Sequence, residues 1–343
     1  MPGHDVHQAF IAWAREQLGE RERPLFDRMA KRSGIAHRWS ILPDAGEGSG
    51  PVDPGGFYHG DPLPGTGARM ELYAEAAPEL ALEAISALAG QASLEGITHL
   101  VVASCTGFVA PGIDQILATR LGLAPSVERL LVGFMGCYAA VVALRSARHI
   151  VRSEPQSRVL AVTVELSSLH LSLTDKLEPM LAMLQFGDGA AAALVSAEPT
   201  GFALGDGFAT TLPDTAHLIR WDITDRGFAM HLSGEVPGRI AEGLADPAFA
   251  GVVTGGHAAG EVDGWAVHAG GRSILDAVER ALGLAPEALA ASRAVLEAYG
   301  NMSSSTLMFA LAALLRGASV ERGVALAFGP GLAAEGFRFT SAP

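Results

Sequence analysis

Apolar runs and amphipathic stretches alternate along most of the chain. Glu71 to Leu88 carries apolar residues at helical spacing and predicts a long helix; a strand at His99 to Ala103 and a helix around Ile113 to Leu121 follow. Leu130 to Phe134 is a short apolar run that predicts a strand, and Ala139 to Val151 predicts the helix after it. Another strand is expected at Val159 to Val164, then a weakly patterned segment, then the apolar run Ala190 to Ser196. Beyond Gly201 the order partly repeats, with a strand at Gly264 to Val267, a helix over Ser273 to Leu282, an apolar helix at Leu307 to Leu315 and a last strand at Val324 to Ala327. This alternation predicts an α/β protein of two related halves, residues 1–200 and 201–343. Pro43 to Gly67 is crowded with Gly, Pro and Asp and is expected to be an exposed connection. Its tail Gly65-Thr66-Gly67 lacks the lysine and spacing of a phosphate loop.

Composition narrows the setting. With 343 residues, 49% of them hydrophobic, the chain can bury a sizeable core. Its two cysteines, Cys105 and Cys137, offer no disulfide framework, and the start Met1-Pro2-Gly3-His4 lacks the pattern of a secretory signal, so a reducing cytoplasm is expected. Apolar stretches such as Leu307 to Leu315 fall short of the roughly 20 residues that cross a bilayer. A formal charge of -13 argues against nucleic acid as a partner. Arg21, Arg23, Arg28, Lys31, Arg32 and Arg38 nevertheless gather in one early stretch, which predicts a local basic face.

Candidate chemistry lies at three junctions between apolar runs and helices. Gly136-Cys137-Tyr138 follows Leu130 to Phe134 and opens the helix from Ala139, where backbone N–H groups and the helix dipole are expected to lower the thiol pKa. His268 ends the run Gly264 to Val267, and Asn301 ends a segment that begins near Val295. Taken singly, a buried cysteine, a histidine after a strand and an asparagine after glycine all have ordinary structural roles.

Their wording removes that ambiguity. Gly136-Cys137-Tyr138, Val267-His268-Ala269-Gly270-Gly271 and Gly300-Asn301-Met302-Ser303-Ser304, together with Leu184-Gln185-Phe186-Gly187-Asp188-Gly189 and Ala327-Phe328-Gly329-Pro330-Gly331, resemble the type III polyketide synthases, the chalcone and stilbene synthase family. The resemblance runs from about Arg28 to Phe339 and implies the thiolase fold, five layers α-β-α-β-α. It implies Cys137, His268 and Asn301 as the catalytic triad, with acyl-CoA starter and malonyl-CoA as substrates, no metal, no cofactor and a homodimer. Cys137 would carry the acyl chain, while His268 and Asn301 would stabilise the enolate formed when malonyl-CoA loses carbon dioxide. By the same resemblance Arg28, Arg32 and Ser273 are expected to hold coenzyme A. Phe186 and Met230 are expected as gatekeepers, Met230 standing where phenylalanine is usual. Cys105 and His170 take cavity positions that are often threonine, and Ser303 keeps the small residue near the catalytic asparagine. Ala110 stands where many members place a methionine that reaches the partner's cavity, and Gly329 and Gly331 frame the carboxyl-terminal loop.

Several departures carry expectations of their own. Ala269 replaces the usual proline after the histidine. Family members begin with a short apolar strand, whereas Met1-Pro2-Gly3-His4 shows none, so the first sheet is expected to lack a strand, as a start placed too far downstream would produce. Met230 and Ala110 predict room for a longer starter and a product of the long-chain alkylpyrone or alkylresorcinol type. A single-condensation ketoacyl synthase shares the Cys-His-Asn set but reads differently around His268 and Asn301. A thiolase needs a second cysteine in the carboxyl-terminal half, where none occurs. An inactive scaffold on the same fold has no need of all three groups.

Overall fold

Continuous apolar runs become strands covered on both faces, and the helices that cover them present one apolar stripe each. The structure, a computed structural model, describes residues 3–42 and 50–342. The chain begins with β1 (His4–Asp5), α1 (His7–Gln17), α2 (Arg23–Lys31) and β2 (Trp39–Ser40). After the connection come α3 (Thr66–Ala89), β3 (His99–Ser104), α4 (Ile113–Arg120), β4 (Glu128–Gly133), α5 (Ala139–Ser153) and β5 (Val159–Leu166). Then follow α6 (Leu177–Met183), β6 (Asp188–Val195), β7 (Phe202–Thr211), β8 (Ile219–Thr224) and β9 (Gly227–Leu232). The remainder is α7 (Val236–Ala245), α8 (Pro247–Thr254), β10 (Gly264–Val267), α9 (Arg272–Leu282), α10 (Ala290–Tyr299), α11 (Ser304–Leu315), β11 (Gly323–Gly329) and β12 (Ala333–Ser341).

Two four-stranded sheets form, ordered β4-β3-β5-β6 and β10-β11-β12-β7. β3, β4 and β5 are parallel, as are β10 and β11, while β6, β12 and β7 run antiparallel to their neighbours. The repeat is therefore partial. Between the sheets lie α5 and α11, which touch each other and strands of both. Small residues permit that close approach: Ala139, Ala140, Ala143 and Ala147 on α5, and Ser304, Ser305, Thr306 and Ala310 on α11, are all buried. α3 and α4 cover the outer face of the first sheet, and α7, α8, α9 and α10 that of the second. Five layers result. No helix among the described residues is long and apolar enough to cross a membrane.

Three expectations need correction. The segment before Asn301 is helical, since Ser292, Val295 and Leu296 form one buried stripe on α10 and Gly300, at φ 67°, ends it. A two-residue strand does form at the amino terminus, His4 and Asp5 pairing antiparallel with Ser40 and Trp39, but in a two-stranded sheet of its own and not in the first four-stranded sheet; Met1 and Pro2 lie outside the described residues. Of the connection expected from Pro43 to Gly67, residues 43–49 lie outside the described residues, the next stretch is turns, and its last two residues already belong to α3.

Gly336 lets β12 lie flat between β11 and β7. A Cβ there would stand 2.1 Å from the Phe208 ring and 2.4 Å from the Ala325 carbonyl oxygen. Gly336→Ala is expected to cost at least about 1–3 kcal/mol in urea unfolding, the usual penalty of an overpacked core.

Candidate active site

The expected strand-turn-helix junction carries Cys137. Past β4, Phe134 and Gly136 adopt left-handed backbone, a 3-10 turn spans Gly136–Tyr138, and α5 starts at Ala139. The turn cannot be widened. A Cβ on Gly136 would stand 2.5 Å from the Pro330 ring, and one on Gly329 would stand 2.6 Å from the Tyr138 ring. The Gly329-Pro330-Gly331 loop thus packs on the backbone that presents the thiol. From the other side Gly136 N–H donates to Cys105 Sγ at 2.9 Å.

Asn301 is held from both neighbours. Its N–H donates to Gln185 O at 2.8 Å, and its carbonyl accepts from Gly187 N–H at 2.9 Å, clamping it beside Phe186. Asn301 Oδ1 accepts from Ser303 N–H at 2.8 Å, and Nδ2 donates to Gly270 O at 3.2 Å. Ser303, itself strained at φ 49°, puts its hydroxyl 4.0 Å from Cys137 Sγ. The His268 loop is thereby tied to Asn301 through Gly270, and His268 N–H is fixed on Leu326 O of β11 at 2.8 Å. Neither ring nitrogen of His268 has a hydrogen-bond partner among the described residues.

Burial governs the protonation of this cluster. Desolvation pushes the Cys137 thiol up to about 12, while hydrogen bonds from Ser303 and Asn301 pull the other way. The same desolvation lowers His268 to about 3. The direction is opposite to the lowered thiol pKa expected from the helix dipole: in this buried cluster the loss of hydration is the largest influence on both groups. Behind the thiol lies Glu165, buried in β5, whose carboxylate accepts from Cys105 N–H at 2.9 Å, Thr106 Oγ1 at 3.0 Å and Ser304 Oγ at 2.5 Å. Burial raises it to about 7 despite those three donors.

A chamber of about 390 Å³ lies at the low end of the roughly 300–1,000 Å³ range of small-molecule sites. Phe186, His170 and Met230 line it, together with Arg38, Ser167, Trp221 and Phe228, and α1 contributes Phe10 and Trp13; Cys137, His268, Asn301 and Ser303 are not among its lining residues. His170 is neutral and fixed: Phe228 N–H donates to Nδ1 at 3.0 Å, Nε2–H donates to Thr106 O at 2.7 Å, and the ring stacks on Phe228 at 4.2 Å. Burial lowers its pKa to about 3.

Comparison with known proteins decides what this arrangement is. Residues 19–199 match the model of the chalcone and stilbene synthases, N-terminal domain, and residues 204–343 match that of the C-terminal domain. The chain belongs to the chalcone and stilbene synthase family, the type III polyketide synthases. It is 36% identical over 286 residues to the alpha-pyrone synthesis polyketide synthase-like Pks18 of Mycobacterium tuberculosis, covering 79% of this chain and 72% of Pks18. It is 39% identical over 293 residues to bisdemethoxycurcumin synthase of Oryza sativa subsp. japonica, covering 78% and 72% of the two chains. Among solved structures, the C-terminal type III polyketide synthase domain of Steely1 from Dictyostelium superposes with a TM-score of 0.90 at 27% identity, covering 100% of this chain and 97% of that one. The 1,3,6,8-tetrahydroxynaphthalene synthase of Streptomyces coelicolor A3(2) gives 0.87 at 28% identity, with the same coverage. The five layers are the thiolase-like fold of these structures, and the chain is an acyltransferase.

In this type III polyketide synthase the remaining expected residues scatter. Cys105 sits behind the Cys137 turn, away from the chamber wall, and its thiol is raised by burial. Ala110 is exposed and Gly331 takes a left-handed turn; neither lines the chamber. Arg28, Arg32 and Ser273 are exposed, and a Cβ on Gly34, just past α2, would touch the Arg272 stem at 3.5 Å, which brings the start of α9 close to the end of α2. Arg38, expected on the basic face, is instead 3% exposed: Nη1 donates to Met183 O at 2.9 Å and Phe186 O at 2.7 Å, and Nε to His7 Nδ1 at 2.9 Å. Arg38, Glu165, Trp221 and Phe228 escape sequence reasoning. Trp221 lies directly across the β8–β9 pair from Met230, a neighbour that only the strand pairing reveals.

With its pKa raised by burial, Cys137 is expected to be alkylated by iodoacetamide slowly at neutral pH and ever faster as pH rises, with no plateau below the range of an ordinary free thiol. Mass spectrometry of the Cys137 peptide measures the rate; a plateau near neutrality would mean a low-pKa thiolate.

Proposed function

We propose that this synthase loads an acyl-CoA starter on Cys137, extends it by decarboxylative condensation with malonyl-CoA and closes the chain to an α-pyrone-type product. The observation that carries the reading is the placement of Asn301 and Ser303 against the Cys137 thiol, with the His268 loop bonded to Asn301 through Gly270. A neutral thiol and a neutral imidazole suit a concerted start. As sulfur attacks the thioester carbonyl, its proton passes to His268 and from there to the sulfur of the departing coenzyme A, and the acyl group stays on Cys137. His268 and the Asn301 carboxamide then face the thioester oxygen of malonyl-CoA. Loss of carbon dioxide puts negative charge on that oxygen, in a site dry enough for each donor to count. The resulting carbanion attacks the acyl carbon on Cys137, and repetition lengthens the chain.

Arg28, Arg32, Arg272 and Ser273 form the proposed coenzyme A site, their guanidinium groups suited to phosphate oxygens. Phe186 and Met230 guard the chamber mouth, His170 fixes one wall, and Gly329 and Gly331 shape the loop beneath the thiol. Ala110 and Phe108 are exposed, as are Leu130 and Leu131 on the edge strand β4, and apolar exposure of this kind supports a homodimer. Two free thiols support the cytoplasm as the working compartment. Met230 alone favours a long starter, but Trp221 stands across from it and fills part of the room gained, so a short starter suits the chamber of about 390 Å³ better.

Cys137→Ala is expected to abolish product formed from acyl-CoA and malonyl-CoA. Asn301→Ala is expected to lower kcat by roughly 10²- to 10³-fold, the usual loss for one oxyanion donor. A panel of saturated acyl-CoA starters, with products identified by mass, is expected to show turnover falling as the chain lengthens. Product from Cys137→Ala, or rates that climb with chain length, would refute the nucleophile or the chamber assignment respectively.

A further inference from the structure

Helix α2 has two unlike faces. Phe26 and Ala30 are buried on the inner one, in a cluster with Met180 and Leu184. The outer one carries Leu25, Arg28, Met29 and Arg32, spaced so that they fall in one stripe along the helix. All four are exposed, Leu25 at 42% and Met29 at 44%, with exposed Arg21 in the turn before the helix and exposed Lys31 near its end. Asp27 of the same helix is turned to Arg15 at 3.0 Å. Arg120, Arg145 and Arg158 each hold a carboxylate, whereas Arg21, Arg28, Lys31 and Arg32 have none among the described residues. In a chain of formal charge -13 this stripe is a cationic island. Its arginines and methionine are residues that protein interfaces favour, and Lys and Glu, which interfaces disfavour, are absent from it.

We propose that the outer face of α2 docks an acidic carrier protein, a small helical protein that brings the starter acyl group as a thioester on its phosphopantetheine arm. This inference rests on the polyketide reading above and gives its starter a source other than free coenzyme A. Phosphates would account for the arginines alone. Leu25 and Met29 in the same stripe call for a partner that offers carboxylates and apolar side chains on one surface, as an acidic amphipathic helix does. An anionic lipid surface matches less well, because α2 is nine residues long with two large apolar side chains outward and the rest of the chain is acidic.

The end of α2 lies beside the segments that carry the reacting groups. A Cβ on Gly34 would stand 3.5 Å from the Arg272 stem, and Arg272 opens α9 four residues after His268. Ala36 N–H and His37 N–H both donate to Glu297 O, at 2.8 and 3.1 Å, four residues before Asn301. An arm that starts from a protein seated on Leu25 and Met29 therefore has Arg28, Arg32 and Ser273 for its phosphate on the way to His268 and Asn301. Transfer balances as it does from coenzyme A. The carbon–sulfur bond to the arm breaks, one to Cys137 forms, and the Cys137 proton passes by way of His268 to the sulfur of the departing arm.

The test is acyl transfer to Cys137, read as added mass on the intact protein without malonyl-CoA. Two donors carry the same hexanoyl group: hexanoyl-CoA, and a bacterial acyl carrier protein of the fatty-acid type charged on its phosphopantetheine. Both are expected to load the wild-type chain. Leu25→Ser combined with Met29→Ser is expected to slow transfer from the carrier protein roughly 10-fold and Arg21→Ala roughly 3-fold, while transfer from hexanoyl-CoA stays within about 2-fold of wild type. The second donor also shows that each variant is folded. Loading from hexanoyl-CoA alone, or equal losses with both donors, would overturn the inference. If the double substitution abolishes binding to phosphatidylglycerol vesicles, or halves the mass in solution, and leaves transfer from the carrier protein unchanged, the face serves a lipid surface or a second copy of the chain and the inference falls. Loading from neither donor would instead refute the polyketide reading.

Discussion

A carboxylate in a dry place sets the terms for the whole site. Glu165 is 0% exposed and burial raises its pKa, so keeping so polar a group inside requires Cys105 N–H, Thr106 Oγ1 and Ser304 Oγ to stay within bonding distance. Those donors come from the end of β3 and the start of α11, elements of opposite halves of the chain. Moving either half would leave a buried carboxyl without partners. The residues that depend on this register are those of the site: Cys105 braces the Cys137 turn through Gly136, and Ser303, just ahead of α11, faces the thiol. The carboxylate works as a positioning group, acting on the chemistry through the backbone it pins.

The same exclusion of water sets the protonation of the reacting groups. Sequence logic treats a cysteine at a helix start as a nascent thiolate. In the structure Cys137 and His268 are both buried, and lost hydration raises the thiol pKa and lowers that of the imidazole. The Asn301 amide lies in the same buried cluster, where little water competes for a hydrogen bond and fixed donors are strongest.

How much of this was readable in the chain depends on whether the signal was local. Cys137, His268 and β3, β5 and β11 were evident because each is an apolar run ending at a turn, and the element boundaries moved by a few residues at most. Asn301 was found while its setting was misread: Val295 and Leu296 look like part of a strand until Ser292, one helical turn earlier, is seen on the same buried stripe. Glu165 and Arg38 were hidden for a different reason. A charged residue is read as exposed unless its partners are known, and theirs lie far away in sequence: Ser304 is 139 residues from Glu165, and the carbonyls of Met183 and Phe186 are 145 and 148 residues from Arg38. Trp221 likewise shows its importance only once β8 and β9 pair and set it across from Met230.

The buried polar groups tie the site together across the chain. Three donors converge on Glu165, and Arg38 bonds to His7, Met183 and Phe186, while Asp188, close enough to feel the charge of Arg38, is occupied by Ser168 and Ile41. The bonds Arg38–Phe186, Ile41–Asp188 and Glu165–Ser304 join segments 148, 147 and 139 residues apart. The segment that carries Phe186 and clamps Asn301 therefore cannot shift without leaving a buried polar group unpaired, which costs more than the bond itself contributes.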